Sequence, residues 1–159
     1  MSTAKTHILS HRQILRKLTR IAYQVYESNL DADFICIAGV NERGGLIGRL
    51  LQEALEQVIP SKSMYVQVDK GYTPDKEKLN GKTVILVDDV LNTGKTLINI
   101  MQPFVEAGVG KLEVAVLADR NHRLFPVHAD YVGISMATTL QEHITFDNSD
   151  PADLKLYLS

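Results

Sequence analysis

Two carboxylates stand side by side after an apolar run, and a turn rich in hydroxyls and glycine follows them. The segment reads Val87-Asp88-Asp89-Val90-Leu91-Asn92-Thr93-Gly94-Lys95-Thr96. Gly94 is predicted to open a helix, whose first N–H groups and dipole favour a phosphate, while Thr93 and Thr96 add hydroxyl donors. The two acids can accept hydrogen bonds from sugar hydroxyls. The segment therefore predicts a binding site for a ribose phosphate.

Other interpretations of the same segment can be tested against its spacing. Gly94-Lys95-Thr96 resembles the end of a Walker A loop, but Asp89 stands where that loop needs another glycine. The sequence contains no G-x-G-x-x-G string, which a dinucleotide site would require. The plainer alternative is that Asp88 and Asp89 only cap a helix or pair with a lysine. The complete segment favours the ligand site over that alternative.

The elements that must position this segment alternate between strands and helices. A helix is predicted from Ser10 to Ser28, with Ser10 and Gln13 as a capping box. Further helices are predicted after a turn at Gly44-Gly45 and after Gly94. Strands are predicted at Phe34 to Ala38, Met64 to Val68, Thr83 to Val87 and Leu112 to Ala118. This order predicts an α/β fold with a doubly wound, mostly parallel sheet, whose ligands bind beyond the carboxyl ends of the strands.

Composition limits the classes of protein that fit. The chain has 159 residues, of which 45% are hydrophobic and 23% charged, which predicts a single globular domain spanning residues 1–159. A net charge of -2 disfavours a dedicated nucleic-acid binder. The one cysteine, Cys36, lies in an apolar run and is expected to be a buried hydrophobe. With no leader-like stretch in Met1 to His11 and no apolar run long enough for a membrane span, we expect a cytoplasmic protein without a membrane partner.

The string VILVDDVLNTGKT resembles the phosphoribosyl-pyrophosphate motif of type I phosphoribosyltransferases. The string AVLADRNHRLFPVHADYVG from Ala115 to Gly133, with LTRIA at Leu18 to Ala22, resembles the pyrimidine-operon attenuator proteins that double as uracil phosphoribosyltransferases. The resemblance runs over nearly the whole chain, including a closing strand pattern around Glu142 to Asp147. It implies that family's fold and transfer of 5-phosphoribose from phosphoribosyl pyrophosphate to a pyrimidine base, with uracil favoured and pyrophosphate released. It also implies Mg²⁺ as cofactor and a homo-oligomer.

The resemblance also implies roles for individual residues. Asp88 and Asp89 would hold the ribose diol and stabilise positive charge at the anomeric carbon. The 5'-phosphate loop would be Leu91, Asn92, Thr93, Gly94, Lys95 and Thr96. The pyrophosphate loop would run from Gly39 to Gly44, with substrate bound by Val40, Asn41, Arg43 and Gly44 and pyrophosphate gripped by the Arg43 guanidinium. Asp119 is expected to hold Mg²⁺ through water, the alternative being a salt bridge in the turn that it forms with Arg120.

Two departures from the family pattern concern catalysis. Relatives usually have a lysine and a threonine where this chain has Asn41 and Glu42, so a cation is lost and an anion is added beside the pyrophosphate. The connection from Asp69 to Gly81 has only 13 residues. Relatives usually carry a longer mobile loop there, which closes over the site and excludes water. Together the departures predict slow turnover with retained ligand affinity.

A third departure concerns RNA. Arg12, Arg16 and Arg20 form a stripe on the first helix with Lys17 beside it, but relatives usually have a histidine where Tyr23 stands. Such a stripe is typical of a solvated helix face, and the negative net charge agrees with that interpretation. An RNA-binding regulator of pyrimidine genes, catalytically weak but still able to bind ribose phosphate, is the alternative function.

Overall fold

The computed structural model describes residues 4–59 and 62–159. In chain order the elements are β1 (Thr6–Leu9), α1 (His11–Ser28), β2 (Phe34–Val40), α2 (Asn41–Val58), β3 (Lys62–Val68), α3 (Lys76–Leu79), β4 (Thr83–Leu91), α4 (Lys95–Glu106), β5 (Lys111–Asp119), β6 (Tyr131–Ser135), β7 (Ile144–Asp147) and β8 (Lys155–Leu158). Five strands form a sheet in the order β3-β2-β4-β5-β6, and each neighbouring pair in it is parallel. A second sheet, β1-β8-β7, is antiparallel.

Helices cover both faces of the five-stranded sheet. One apolar core joins α1 and α2 to the sheet, and a second core joins α3 and α4 to the opposite face. The central strands β2, β4 and β5 are therefore buried on both faces, as their continuous apolar runs predict. Cys36 is buried within β2. The prediction of a doubly wound α/β fold with a mostly parallel sheet is confirmed.

Several predicted boundaries were wrong. Gly44 and Gly45 lie inside α2 rather than in a turn before it, because the helix begins at Asn41, directly after β2. Both are buried where the helix packs closely on the sheet, so these glycines serve close approach and not chain reversal. The short strands β1, β6 and β8 were not predicted, while the closing pattern near Glu142 is confirmed as β7.

The connection between β3 and β4, counted from Asp69 to Gly81 in the sequence, contains a short helix, α3. Asp75 caps α3 by accepting hydrogen bonds from the backbone N–H groups of Glu77 and Lys78. The Leu79 side chain is buried in the core beneath α4, and the ring of Tyr72 stacks on Phe104 at a centroid distance of 5.9 Å. The connection is therefore anchored to the body of the protein at Tyr72 and Leu79, while most of its other residues are exposed.

Within residues 4–59 and 62–159, no helix is long and apolar enough to cross a membrane. The expectation that no leader occupies Met1 to His11 falls partly on residues 1–3, which lie outside the described residues.

The capping box at the start of α1 is confirmed and yields a stability prediction. The Ser10 N–H donates to Gln13 Oε1 at 2.8 Å, and the Gln13 N–H donates to Ser10 Oγ at 3.3 Å. Ser10→Ala should lower the free energy of unfolding by about 1 kcal/mol, because it leaves an N–H group of the first turn without its acceptor. Urea denaturation followed by circular dichroism measures the change. A Ser10→Asp variant, which can still cap, should stay close to the unmodified protein; equal loss in both variants would contradict the capping role.

Candidate functional site

The two aspartates lie within β4 and not in a loop after it, which corrects their predicted placement. The strand continues through them because Asp88 pairs with Val116 and Leu91 pairs with Asp119 on β5. Val87 and Val90 both join the core under α1 and α2, although strict alternation would place residue 89 with Val87. The alternation therefore shifts by one residue at the aspartates. Both acids line the same cavity.

That cavity lies at the carboxyl edge of the sheet and has a volume of about 510 Å³. It brings together three predicted parts of the site: the end of β2 with the first turn of α2, the two aspartates, and the loop before α4. Its lining residues are Val40, Asn41, Glu42, Arg43, Gly44, Asp88, Asp89, Val90, Asn92, Thr96 and Ile144. Placement at this edge is what the doubly wound topology predicts for a ligand site.

The environment of Asp88 favours its neutral form. Burial raises the pKa of Asp88 to about 8, and the neighbouring Asp89 adds to that effect. The Asp89 N–H donates to Asp88 Oδ1 at 2.8 Å. A Cβ atom on Gly44 would lie 2.9 Å from the same oxygen, so α2 packs directly against this carboxyl group. A neutral carboxyl group can both donate to and accept from a sugar hydroxyl.

The predicted phosphate loop is held by its neighbours. The Thr93 carbonyl accepts hydrogen bonds from the N–H groups of Leu124 and Phe125, at 2.9 and 3.1 Å. Gly94 has a φ of 88°, and a Cβ there would lie 3.1 Å from the Val127 side chain, so the turn requires glycine. A smaller cavity of about 50 Å³ is lined by Asp88 and residues 90–97. Its volume is several times the space that one water molecule needs. The Leu91 side chain is buried in the core, so this residue can offer a ligand only its backbone.

Two helix N-termini meet this edge of the sheet, and they differ in charge. The N-cap residues of α2 and α4, Val40 and Gly94, make no side-chain capping hydrogen bond. At α4 the Thr93 Oγ1 accepts a hydrogen bond from the Lys95 N–H at 3.3 Å. The first turn of α4 contains no acidic residue, whereas the first turn of α2 contains Glu42. A carboxylate is favourable at a helix N-terminus and competes there with any other anion. The α4 terminus thus suits a phosphate better than the α2 terminus does.

The predicted pyrophosphate loop is the end of β2 together with the first turn of α2. Asn41 takes the left-handed conformation with a φ of 58°, which is uncommon for residues other than glycine and easiest for Asn and Asp. Arg43 is exposed and lines the larger cavity. Gly44 is buried, and a Cβ on it would lie 2.8 Å from the Val87 carbonyl. The sequence therefore needs glycine at position 44 to bring this turn against the aspartates.

Asp119 is buried at the end of β5, and its Oδ1 accepts a hydrogen bond from the Asn121 N–H at 2.8 Å. The neighbouring Arg120 is also buried. It donates to Thr138 Oγ1 at 3.0 Å and to Asn92 Oδ1 at 3.2 Å, and it contacts the carbonyl groups of Thr139 and Glu142. Arg120 therefore ties the segment before β7 to the phosphate loop.

Comparisons with known proteins agree with this arrangement. The family model described as a phosphoribosyl transferase domain matches residues 5–147. The chain belongs to the phosphoribosyltransferase family. The pyrimidine operon regulatory protein of Lactococcus lactis subsp. lactis (strain IL1403) is 33% identical over 159 residues, or 92% of each chain. The bifunctional protein PyrR of Streptococcus mutans serotype c is 37% identical over 141 residues, covering 81% of this chain and 80% of the relative.

Solved phosphoribosyltransferases share the fold at lower identity. HGPRT-ase from Leishmania tarentolae in complex with GMP superposes with a TM-score of 0.71 at 16% identity, covering 86% of this chain and 84% of that one. A hypoxanthine-guanine phosphoribosyltransferase from Bacillus anthracis gives 0.70 at 20% identity, with 87% and 86% covered. The predicted resemblance to the phosphoribosyltransferase family is therefore confirmed.

Two side chains near the site of this family member, Arg120 and Gln67, make contacts that were not predicted from the sequence. Arg120 was singled out only as part of the Asp119 turn, and its position directly after β5 gives no sign of its hydrogen bonds to Asn92 and Thr138. Gln67 was not singled out, although its amide contacts Asn41. The sequence positions of Arg120 and Gln67 do not predict these contacts, because each partner lies on a distant part of the chain.

The raised pKa of Asp88 predicts opposite effects of Asp88→Asn on stability and on binding. Between about pH 4 and pH 8 the folded chain keeps a proton on Asp88 that the unfolded chain has lost, so the stability contributed by this group falls progressively over that range and is fully lost above about pH 8. The free energy of unfolding of the variant, relative to the unmodified protein, should therefore be higher at pH 8 than at pH 5, by on the order of a few kcal/mol. We also expect its affinity for ribose 5-phosphate to fall about tenfold or more.

Urea denaturation at both pH values and calorimetry with ribose 5-phosphate measure these effects. Asp147→Asn is a matched control, because hydrogen bonds from Ser149 lower the pKa of Asp147 and its removal should bring no stability gain at pH 8. A stability difference for Asp88→Asn that is the same at pH 5 and pH 8 would contradict the assignment.

Proposed function

We propose that the protein transfers 5-phosphoribose from phosphoribosyl pyrophosphate to a pyrimidine base, with uracil favoured, and releases pyrophosphate. One observation carries the proposal: Asp88, Asp89 and residues of both helix N-termini line a single cavity at the carboxyl edge of the sheet. That arrangement offers a phosphate site at the loop before α4, a diol acceptor at the aspartates and a second anion site at the start of α2, which are the three groups that the substrate presents. Membership in the phosphoribosyltransferase family supports the reaction class.

In the proposed reaction, the bond from the anomeric carbon to the pyrophosphate oxygen breaks as a bond from a base nitrogen to that carbon forms. The base loses the proton of that nitrogen, and pyrophosphate leaves with the bonding electron pair. Asp88 and Asp89 hold the ribose hydroxyls and face the positive charge that develops on the sugar. The N–H groups at the start of α4, with Thr93 and Thr96, hold the 5'-phosphate, and Arg43 contacts the leaving pyrophosphate.

The residues present fit the implied Mg²⁺. Mg²⁺ keeps several waters and takes one or two carboxylates together with substrate phosphates. Across the described residues no group of three or more His, Cys, Asp and Glu side chains is placed to hold a metal alone. Two adjacent carboxylates beside a phosphate site meet the smaller demand of a metal that arrives with its substrate. Bound Mg²⁺ would shield the charge of the leaving pyrophosphate, with Asp88, Asp89 and, through water, Asp119 as its protein partners.

The preference for a pyrimidine rests on the relatives. The curated relatives with 33% and 37% identity are named as a pyrimidine operon regulatory protein and a bifunctional protein PyrR. The purine enzymes among the solved structures share at most 20% identity in the comparisons above, which speaks for the fold alone. We propose that the base lies on the side of the cavity lined by Asn92 and Ile144, where Arg120 ties the segment before β7 to the phosphate loop.

We further propose that turnover is slow relative to ligand binding. The short connection between β3 and β4 is packed through Tyr72 and Leu79, so closing it over the site would break those contacts. A site that stays open excludes water poorly near the transition state, while ground-state affinity is less affected. A partner subunit that supplied the missing cover would remove this limit. The homo-oligomer and the cytoplasmic location remain predictions from the sequence.

An RNA-binding regulator is the second candidate, and the names of the relatives favour it. The exposed face of α1 carries Arg12 and Arg16, and Tyr23 is 54% exposed on the same helix. Arg20 is engaged otherwise, because its guanidinium donates to the carbonyl groups of Val132 and Gly133 at 3.0 and 2.7 Å. The arginine stripe on α1 therefore has fewer free cations than the sequence indicates, so we favour the enzymatic function over RNA binding.

The decisive experiment measures pyrophosphate release from phosphoribosyl pyrophosphate and Mg²⁺ with uracil, orotate, hypoxanthine, guanine and xanthine. We expect release with uracil at a rate below the ~10 per second of a typical enzyme, and loss of release in the double variant Asp88→Asn, Asp89→Asn. Release with a purine only would refute the pyrimidine assignment. No release with any base, together with measurable binding of ribose 5-phosphate, would refute the enzyme and favour the regulator.

The charge of Glu42 yields a separate prediction about the leaving group. Glu42→Gln should raise the affinity for inorganic pyrophosphate roughly three- to tenfold at low ionic strength, because it removes an anion from the α2 N-terminus that lines the cavity. The gain should shrink as salt is added. Calorimetry with Mg²⁺ and pyrophosphate at two salt concentrations provides the measurement.

Glu56→Gln is the matched control for that experiment. It makes the same charge change on the exposed surface of α2, about 20 Å along the helix from Glu42. It should leave pyrophosphate affinity unchanged. Equal effects of the two substitutions, or weaker binding by Glu42→Gln, would show that Glu42 does not oppose pyrophosphate.

A further inference from the structure

The side chain of Gln67, near the end of β3, joins two parts of the chain that border the cavity. Its Nε2 donates a hydrogen bond to the Asn41 carbonyl at 2.7 Å and another to Asp69 Oδ1 at 3.0 Å. Its Oε1 accepts a hydrogen bond from the Tyr65 hydroxyl, which also lies 3.2 Å from the Gly45 carbonyl. Gln67 therefore connects the first turn of α2 to the beginning of the short connection after β3.

The surrounding sequence leaves room for this side chain. A Cβ on Gly45 would collide with Gln67 Oε1, and a Cβ on Gly39 would collide with the Tyr65 hydroxyl. A Cβ on Gly48 would lie 3.2 Å from the Tyr65 ring. Three glycines on β2 and α2 thus form a notch that Tyr65 and Gln67 fill. Arg49 covers the other side of the Tyr65 ring, with its guanidinium carbon 5.1 Å from the ring centre.

The hydrogen bond to Asn41 sets the direction of a peptide group. Asn41 is left-handed, a conformation that is unfavourable for a non-glycine residue and needs support from its surroundings. In a trans peptide the carbonyl and the following N–H point in opposite directions. Gln67 holds the Asn41 carbonyl from the β3 side of β2, so the Glu42 N–H is directed to the other side. There β4 carries Asp88 and Asp89, and Glu42 lines the cavity with them.

We infer that Gln67 is a positioning residue for the leaving group: by holding the Asn41 carbonyl, it aims the backbone N–H groups at the start of α2 at pyrophosphate. The inference rests on the proposed function, because it assigns pyrophosphate to this part of the cavity. It also explains how a loop with Asn41 and Glu42 in place of a cation could bind that anion. Backbone donors supply the contacts, and Gln67 fixes their direction. Gln67 touches the loop and not the ligand.

Gln67→Leu tests the inference, since leucine fills a similar volume without hydrogen-bonding groups. We expect the affinity for Mg²⁺ and inorganic pyrophosphate to fall about tenfold, the effect of one lost hydrogen bond. Affinity for ribose 5-phosphate, which binds at β4 and α4, should stay within about twofold. Tyr65→Phe, which removes only the hydroxyl that donates to Gln67, should shift pyrophosphate affinity in the same direction by a smaller factor. A substitution that only destabilised the fold would weaken the binding of pyrophosphate and of ribose 5-phosphate alike.

Gln102→Leu is the matched control. Gln102 is exposed on α4 and donates to Glu106 Oε1 at 3.2 Å, away from the cavity, so its replacement should change neither affinity. Equal affinity of Gln67→Leu and the unmodified protein for pyrophosphate would overturn the inference and leave the proposed function intact. An equal loss for both ligands would also overturn it, because the role would then be structural. Failure of the unmodified protein to bind either ligand would overturn the proposed function and the inference with it.

Discussion

The close approach of α2 to the parallel sheet is the constraint on which the site depends. A Cβ at Gly44 would lie 2.8 Å from the Val87 carbonyl, and a Cβ at Gly48 would lie 3.1 Å from the Cα of Gly39. Any side chain at these positions would push the helix outward. Without that contact, the first turn of α2 would move away from Asp88 and the cavity would lose one wall. The geometry of the site thus follows from glycines that let α2 approach the sheet closely.

If only the backbone contributed, the N-termini of α2 and α4 at this edge of the sheet would attract anions equally. Side chains separate them: Glu42 offsets the positive end of α2, while the first turn of α4 has no acid. Asp88 adds to this difference between the two helix ends, because burial keeps its carboxyl group neutral in the free protein and limits its repulsion of a phosphate. These charges make the α4 end of the cavity the better candidate for a phosphate, and we propose that binding of a second anion depends on backbone donors at α2.

The fold was predictable to the extent that apolar runs and capping signals are local. The capping box of Ser10 and the apolar strands at Phe34 and Thr83 could be assigned because each depends on neighbouring residues. The start of α2 could not, since Gly44 and Gly45 signal a turn locally and become helical only through packing on the sheet. The extension of β4 through Asp88 depends on pairing with β5, and the role of Gln67 depends on an atom 26 positions away.

Both walls of the cavity are anchored to the body of the protein. On one side Arg120 joins Thr138 to Asn92, and on the other Gln67 joins Asp69 to Asn41. Beyond Asp69, the chain is held again where Tyr72 stacks on Phe104. Fixed walls bind a ligand without paying for the ordering of a loop, so they favour affinity, but they give no contacts that form only as the site closes. Any gain in transition-state binding must then come from Asp88, Asp89 and donors already in place, or from a second chain that covers the opening.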